Sequence, residues 1–101
     1  MKIVGITACT AGIAHTYMAQ SALQDAAKKK GYECKIETQG AMGAENELSA
    51  DDISTADVVI IGADIEIEGR ERFEGKSVYE TSVSSCVTDP QKVLTEAIKS
   101  I

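Results

Sequence analysis

A cysteine at the end of an apolar segment is the residue best placed to do chemistry in this chain. The segment Lys2–Ala8 runs directly into Cys9, and a loop of small residues leads from there to His15, the single histidine. A helical pattern follows, so this order predicts a strand, a loop and a helix, with a thiol at the carboxyl end of the strand. Ligands of open parallel α/β sheets bind outside such strand ends. Backbone N–H groups in a loop and at a helix start attract anions. A nucleophilic Cys9 at an anion site predicts phosphoryl transfer through a phosphocysteine.

The loop between the predicted strand and helix is expected to hold the phosphate. Its residues are Thr10, Ala11, Gly12, Ile13, Ala14, His15 and Thr16. His15 is spaced to reach back across the loop, where it would donate to phosphate oxygens or orient the loop. Two alternatives stay open. Cys9 can be a small buried residue, and His15 and Thr16 can serve only to begin the helix.

The composition is that of one soluble domain spanning 1–101, with 44% hydrophobic and 26% charged residues. A formal net charge of −6 argues against a nucleic-acid partner, because phosphate backbones require clustered Lys and Arg. No segment is apolar over the length of a bilayer, and no signal peptide opens the chain. The chain has three cysteines, an odd number without paired spacing, which argues against a disulfide framework. We therefore expect a cytoplasmic protein without direct membrane insertion.

Hydrophobic periodicity predicts four strands that alternate with helices. The strands are expected at Lys2–Ala8, Tyr32–Gln39, Asp57–Ala63 and from Ser77 to about Val83. The first and third strands are apolar on both faces and are therefore expected to be central. In the second strand apolar and polar residues alternate, which predicts that Glu37 lies on a solvated face. Right-handed crossovers then imply an α/β fold. Its predicted form is a three-layer, doubly wound, four-stranded parallel sheet in the flavodoxin-like order 2-1-3-4.

Helices and loops fill the intervals between these strands. The helices are predicted from Thr16 to Lys30, after an N-cap at Ser49, and from Asp89-Pro90, with Asp89 as N-cap. The segments Gln39–Ala44 and Ser84–Thr88 are predicted to be loops.

Alternating carboxylates follow the third predicted strand. Asp64, Glu66 and Glu68 are of the type that binds hard metal ions. Alternation on an extended segment also places charges on one solvated face, and we favour that interpretation. We predict neither a metal nor an organic cofactor.

The spacing from Cys9 to His15-Thr16 has the outline of a cysteine phosphatase loop. Those loops place an arginine where His15 stands, and its planar fork binds two phosphate oxygens at once. A histidine cannot form that fork. Asp89-Pro90 stands where low-molecular-weight phosphatases keep an acid, although helix capping also explains the pair. Without the arginine, the loop should hold a phosphoryl group rather than hydrolyse it, as a phosphoryl carrier requires.

The cysteine segment resembles the active loop of the fructose-family enzyme IIB components of the bacterial phosphoenolpyruvate-dependent sugar phosphotransferase system (PTS). The resemblance rests on Ile6-Thr7-Ala8-Cys9, Gly12-Ile13-Ala14-His15-Thr16 and Met18-Ala19. It continues through Glu37-Thr38-Gln39-Gly40, Glu45-Asn46-Glu47-Leu48, Ala56-Asp57-Val58-Val59-Ile60, Ala63-Asp64-Ile65, Arg72-Phe73 and Gly75-Lys76. It implies that an enzyme IIA passes phosphate from its phosphohistidine to Cys9. Phospho-Cys9 then passes it to a fructose-like sugar held by the membrane enzyme IIC. The chain would thus lie at the membrane through enzyme IIC.

The loop departs from that family at one place. Thr10-Ala11 stands where the family usually has Pro-Thr after the cysteine. A non-catalytic regulatory paralogue therefore stays open. A cysteine-dependent phosphatase also stays open on the outline of the loop, although the missing arginine argues against it. Cys86 also follows a predicted strand, so a regulatory disulfide with Cys9 is a further hypothesis.

Overall fold

The computed structural model describes residues 1–9, 13–40 and 43–101 of the chain. Its strands are β1 (Lys2–Ala8), β2 (Glu33–Gly40), β3 (Gly43–Glu45), β4 (Val58–Ala63) and β5 (Val78–Thr81). Its helices are α1 (Ile13–Lys29), α2 (Ala50–Thr55), α3 (Val83–Thr88) and α4 (Pro90–Lys99), with a 3₁₀ turn at Arg70–Phe73. No helix among these residues is both long and apolar enough to cross a bilayer.

The strands form one mixed sheet in the order β3-β2-β1-β4-β5. Strand β1 pairs in parallel with β2 on one side and with β4 on the other, and β5 pairs in parallel with β4. The short β3 instead pairs antiparallel with β2. The α/β class is confirmed. The four predicted strands lie parallel in the order β2-β1-β4-β5, which corresponds to 2-1-3-4. The prediction of a four-stranded, purely parallel sheet is wrong, because β3 adds a fifth, antiparallel strand at the edge.

The sheet is covered on both faces by apolar clusters. One face packs against α1, α3 and α4, through residues that include Leu23, Cys86 and Leu94. The other packs against α2, the 3₁₀ turn and their flanking segments, through residues that include Ile53 and Phe73. Strands β1 and β4 contribute buried side chains to both clusters, so they are central. This arrangement fixes the carboxyl ends of β1 and β4 side by side.

Glu37 is not on a solvated face as predicted. It is 1% exposed in β2, and Arg72 donates to its two carboxylate oxygens at 2.9 and 3.0 Å. The side chain of Gln39 and the backbone N–H of Leu48 also donate to Glu37, at 2.8 and 3.0 Å. Burial raises the pKa of Glu37, but these hydrogen bonds outweigh it and leave the pKa below its ordinary value. The buried pair joins β2 to the 3₁₀ turn.

Two segments predicted as loops contain regular structure. Part of Gln39–Ala44 belongs to β2 and to β3, although residues 41–42 lie outside the described part. The fourth predicted strand ends at Thr81, and Ser84–Thr88 is helical. The hydroxyl of Ser82 accepts a hydrogen bond from the N–H of Ser85 at 3.1 Å and starts α3. The strand therefore cannot continue to Val83.

The other three helix starts agree with the sequence to different degrees. Helix α1 begins at Ile13, three residues before the predicted Thr16. Ser49 forms a reciprocal capping box with Asp52 and confirms the predicted N-cap of α2. Pro90 begins α4 with Asp89 as the N-cap residue, as predicted, but the side chain of Asp89 does not provide the cap. Within the described structure that side chain makes no capping hydrogen bond. The carbonyl of Asp89 accepts from Val93 at 3.1 Å instead.

Candidate active site

Cys9 follows β1 at the carboxyl edge of the sheet. The register pairs Ala8 with Ala63 of β4, and the N–H of Asp64 donates to the carbonyl of Ala8 at 3.1 Å. The residues that follow these two strands, Cys9 and Asp64, are therefore neighbours. The site lies where parallel α/β sheets bind their ligands.

The Asp64 carboxylate connects Cys9 to the start of α3. The Cys9 thiol donates to Oδ2 of Asp64 at 3.5 Å, and the N–H of Val83 donates to Oδ1 at 3.2 Å. Each oxygen thus has its own donor. The backbone bond from α3 orients the carboxylate, so its second oxygen is held towards the sulfur.

A cavity of about 310 Å³ opens beside the cysteine. Cys9, His15 and Asp64 line it together with Val83, Ser84, Val87 and Thr88 of α3. The two valines make the α3 wall largely apolar, whereas the sheet edge supplies the thiol and the carboxylate. The cavity therefore offers a reactive group, a charged group and an apolar surface at one position.

The structure places the predicted loop residues in different surroundings. Thr10, Ala11 and Gly12 lie outside the described residues, and Ile13 is the first residue of α1. Ala14 and His15 are exposed in the first turn of α1, and His15 lines the cavity. Thr16 is 4% exposed, and its carbonyl accepts from the hydroxyl of Thr7 at 3.1 Å. The structure therefore brings His15 to Cys9, whereas the Thr16 side chain is buried.

The two other cysteines lie in less reactive surroundings. Burial raises the pKa of Cys34 to about 12. Burial and the nearby charge of Asp64 raise the pKa of Cys86 to about 11. Because the thiolate is the nucleophilic form, both residues are poor nucleophiles near neutral pH.

The residues considered for a metal site or for acid catalysis do not gather as a group around the cysteine, although Asp64 contacts it. No group of three acidic, histidine or cysteine side chains within 1–9, 13–40 and 43–101 is placed to hold a metal ion. Of Asp64, Glu66 and Glu68, Asp64 lines the cavity. Asp89 is exposed at the junction of α3 and α4, and the described cavity wall ends at Thr88.

Sequence reasoning missed two parts of the site. It considered Asp64 only as one of three alternating carboxylates, and it predicted strand and loop where α3 provides the cavity wall. The position of Asp64 directly after a central strand was a usable signal, because the ends of adjacent parallel strands meet. Ser82 was the signal for α3, since serine is a favoured N-cap residue.

Comparison with known proteins identifies the family. Residues 4–96 match the family described as "PTS system, Lactose/Cellobiose specific IIB subunit". The "PTS system fructose-like EIIB component 2" of Escherichia coli (strain K12) is 48% identical over 95 residues, which are 94% of this chain and 90% of that protein. The solution structure of an enzyme IIB subunit of the PTS from E. coli K12 superposes with a TM-score of 0.90 at 41% identity. It covers 97% of this chain and 91% of the other.

A longer relative contains the same unit. The "PTS system fructose-specific EIIB'BC component" of Rhodobacter capsulatus is 47% identical over 97% of this chain, which matches 17% of that protein. The name of that protein joins B and C components. Together, the family match over residues 4–96, the identity with full-length EIIB proteins and the shared fold show that the chain belongs to the PTS enzyme IIB family, as a fructose-like EIIB component.

Proposed function

We propose that Cys9 accepts a phosphoryl group from the phosphohistidine of an enzyme IIA and passes it to a fructose-like sugar bound to the membrane enzyme IIC. One observation carries the proposal: the Cys9 thiol follows a central strand and lines a cavity beside the first turn of α1. A sulfur nucleophile can form the covalent intermediate that such a two-step transfer requires. Membership of the EIIB family supports the same role.

The phosphoryl group on Cys9 would be held by the segment from Thr10 to Thr16. The backbone N–H groups of the first turn of α1 have no partner within the helix and would donate to phosphate oxygens. His15 adds a side-chain donor at the cavity. Thr16 would anchor this segment to β1 rather than contact the phosphate, because its side chain is buried and its carbonyl accepts from the hydroxyl of Thr7.

The membrane partner is proposed from the longer relative. Its name joins the B and C components, so the two work beside each other in that protein. We propose that this chain meets an enzyme IIC in the same way, at the cytoplasmic side of the membrane. The partly exposed Val87 on the α3 wall of the cavity is suited to contact a partner protein.

A chase experiment tests the proposed carrier role. The protein is phosphorylated through the general PTS proteins and a fructose-type enzyme IIA, and is then mixed with membranes that contain a fructose-type enzyme IIC and fructose. The proposal predicts that the phosphoryl group leaves Cys9 and appears on the sugar. Release as inorganic phosphate without membranes, with turnover of an aryl phosphate, would indicate a phosphatase. Failure of Cys9 to accept the group from any enzyme IIA would indicate a regulatory paralogue.

A further inference from the structure

Asp64 is the one carboxylate that the described structure holds against the Cys9 sulfur. Its Oδ2 accepts a hydrogen bond from the Cys9 thiol at 3.5 Å, and its Oδ1 accepts a hydrogen bond from the N–H of Val83 at 3.2 Å. The backbone bond from Asp64 to Ala8, at 3.1 Å, fixes the residue at the strand end. A carboxylate with one oxygen tied to the backbone and the other turned to a thiol is set up to receive a proton.

We infer that Asp64 is the proton acceptor for Cys9 in phosphoryl transfer. This inference rests on the proposed function, since it assigns a role in that same reaction. A thiol must lose its proton to become a strong nucleophile, and a positioned base can remove it during attack. Asp64 touches the reacting sulfur, so it acts as a catalytic residue rather than through another side chain.

The two half-reactions balance around this proton. When the phosphoryl group arrives, the bond from Cys9 sulfur to phosphorus forms and the bond from the donor's histidine nitrogen to phosphorus breaks. The nitrogen keeps that electron pair, and the thiol proton moves to Oδ2 of Asp64. When the group leaves to the sugar hydroxyl, the sulfur–phosphorus bond breaks and its electron pair stays on sulfur. Asp64 then returns the proton, and the hydroxyl proton of the sugar passes to solvent.

Protonation of Asp64 also suits the phosphorylated state. A phosphocysteine beside an ionised carboxylate would place two negative charges close together, which is unfavourable. A protonated Asp64 removes that repulsion and can donate to a phosphate oxygen instead. The same residue therefore serves as acceptor before transfer and as donor after it.

Other ionisable groups at this site can be separated from Asp64. His15 of α1 lines the same cavity, and Cys86 of α3 lies within reach of the Asp64 charge. Cys86, with a pKa of about 11, stays a thiol near neutral pH. Glu66 is exposed two residues beyond Asp64 on the same segment. Wild type, Asp64→Asn and Glu66→Gln all keep His15 and are measured with the same donor protein, so the ratio of their rates at each pH reports the change at Asp64.

The test compares Asp64→Asn with Glu66→Gln. An asparagine keeps an oxygen for the N–H of Val83 but cannot take a proton from the thiol. Glu66→Gln removes the same charge from a neighbouring exposed position. Asp64→Ser, which also removes the carboxylate, serves if Asp64→Asn unfolds. The single-turnover rate of phosphoryl transfer from phosphorylated enzyme IIA to each protein is measured from about pH 6.5 to about pH 8.5.

We expect Asp64→Asn to slow acceptance on the order of 100-fold near pH 6.5, within the range typical of general bases. The difference in rate between wild type and Asp64→Asn should shrink severalfold towards higher pH, because the thiol can then lose its proton to solvent. Glu66→Gln should match the wild type throughout. An unchanged rate in Asp64→Asn, or a deficit that is constant across pH, would overturn the inference but leave the proposed function intact. A wild-type protein that takes no phosphoryl group would overturn both.

Discussion

The Glu37 carboxylate shows how a charge can be kept in the interior of this domain. It is 1% exposed, and it accepts hydrogen bonds from Arg72, Gln39 and Leu48. Removing one partner of a buried ion pair leaves the other charge without compensation. The partner here is partly open to water, since the Arg72 side chain is 28% exposed. The loss should therefore be smaller than for a fully buried pair.

We predict that Glu37→Gln lowers the free energy of unfolding by about 1–3 kcal/mol. Glutamine keeps the size of the side chain but not its charge, so Arg72 loses its ionic partner. Urea denaturation followed by circular dichroism measures the change. Glu33→Gln, at an exposed position of the same strand, is the matched control and should be nearly neutral. Equal midpoints for the two variants would contradict the assigned role of the pair.

The same residue predicts how acid destabilises the fold. The pKa of Glu37 is lower in the folded chain than its ordinary value. Its stabilisation is therefore fully present above the unfolded pKa, about 4.3, and is lost as the pH falls through the folded pKa. Asp52 acts in the same direction, because hydrogen bonds from Lys35 and Ser49 hold its pKa well below the usual range. Unfolding measured at a series of pH values should show a steeper acid loss in wild type than in Glu37→Gln; parallel curves would count against this explanation.

Among the elements, two six-residue helices invite direct comparison. Helix α2 starts with a capping box between Ser49 and Asp52, and helix α3 starts with the Ser82 hydroxyl alone. The start of α2 was predicted from the sequence, because Ser49 is a favoured N-cap residue and acidic residues follow it in the first turn. Helix α3 was missed since six residues give too few turns to show a helical period. Its role in the site depends on Asp64, a contact that only the folded chain creates.

We predict that Ser82→Ala and Ser49→Ala each lower the free energy of unfolding by about 1 kcal/mol, the usual effect of losing an N-cap. Their effects on function should differ. Ser82 precedes Val83, whose N–H orients Asp64, whereas α2 packs on the other face of the sheet. Phosphoryl acceptance should slow in Ser82→Ala and stay near the wild-type rate in Ser49→Ala. Equal slowing of both would show that general destabilisation, rather than the start of α3, controls the rate.

At the scale of the whole molecule, the centre of the sheet is packed too closely for a side chain at Gly5. A Cβ atom there would lie 2.4 Å from the carbonyl oxygen of Ile60 and 3.0 Å from Cδ1 of Ile36. The first of these neighbours is backbone of β4, so strands β1 and β4 would have to move apart. Gly31 has open space around its Cβ position and only an unfavourable φ of +76°.

We therefore predict that Gly5→Ala costs about 3 kcal/mol of stability, at the upper end of the usual range for overpacking. Gly31→Ala should cost about 1–2 kcal/mol, the strain of a left-handed residue. Thermal or urea unfolding of the two variants tests this order. A smaller loss for Gly5→Ala than for Gly31→Ala would contradict the close approach of the central strands.

The fold was predictable where its determinants are local. Long apolar runs identified the central strands β1 and β4, and Pro90 identified the start of α4. The antiparallel β3 was not predictable because its three residues are all exposed and carry no apolar pattern. Glu37 was misplaced because its partner, Arg72, lies 35 residues further along the chain. In the site, Cys9 and His15 follow from residue type and spacing, whereas Asp64 and α3 depend on which strands are adjacent.

The most direct test of the central claim is the intact mass of the protein after phosphorylation. Wild type, Cys9→Ser and Cys34→Ser are each incubated with phosphoenolpyruvate, the general PTS proteins and a fructose-type enzyme IIA. If Cys9 is the phosphoryl carrier, wild type and Cys34→Ser each gain one phosphoryl group, and Cys9→Ser gains none. A phosphoryl group added to Cys9→Ser would contradict the claim. So would a wild-type protein without an added phosphoryl group while a control enzyme IIB is labelled.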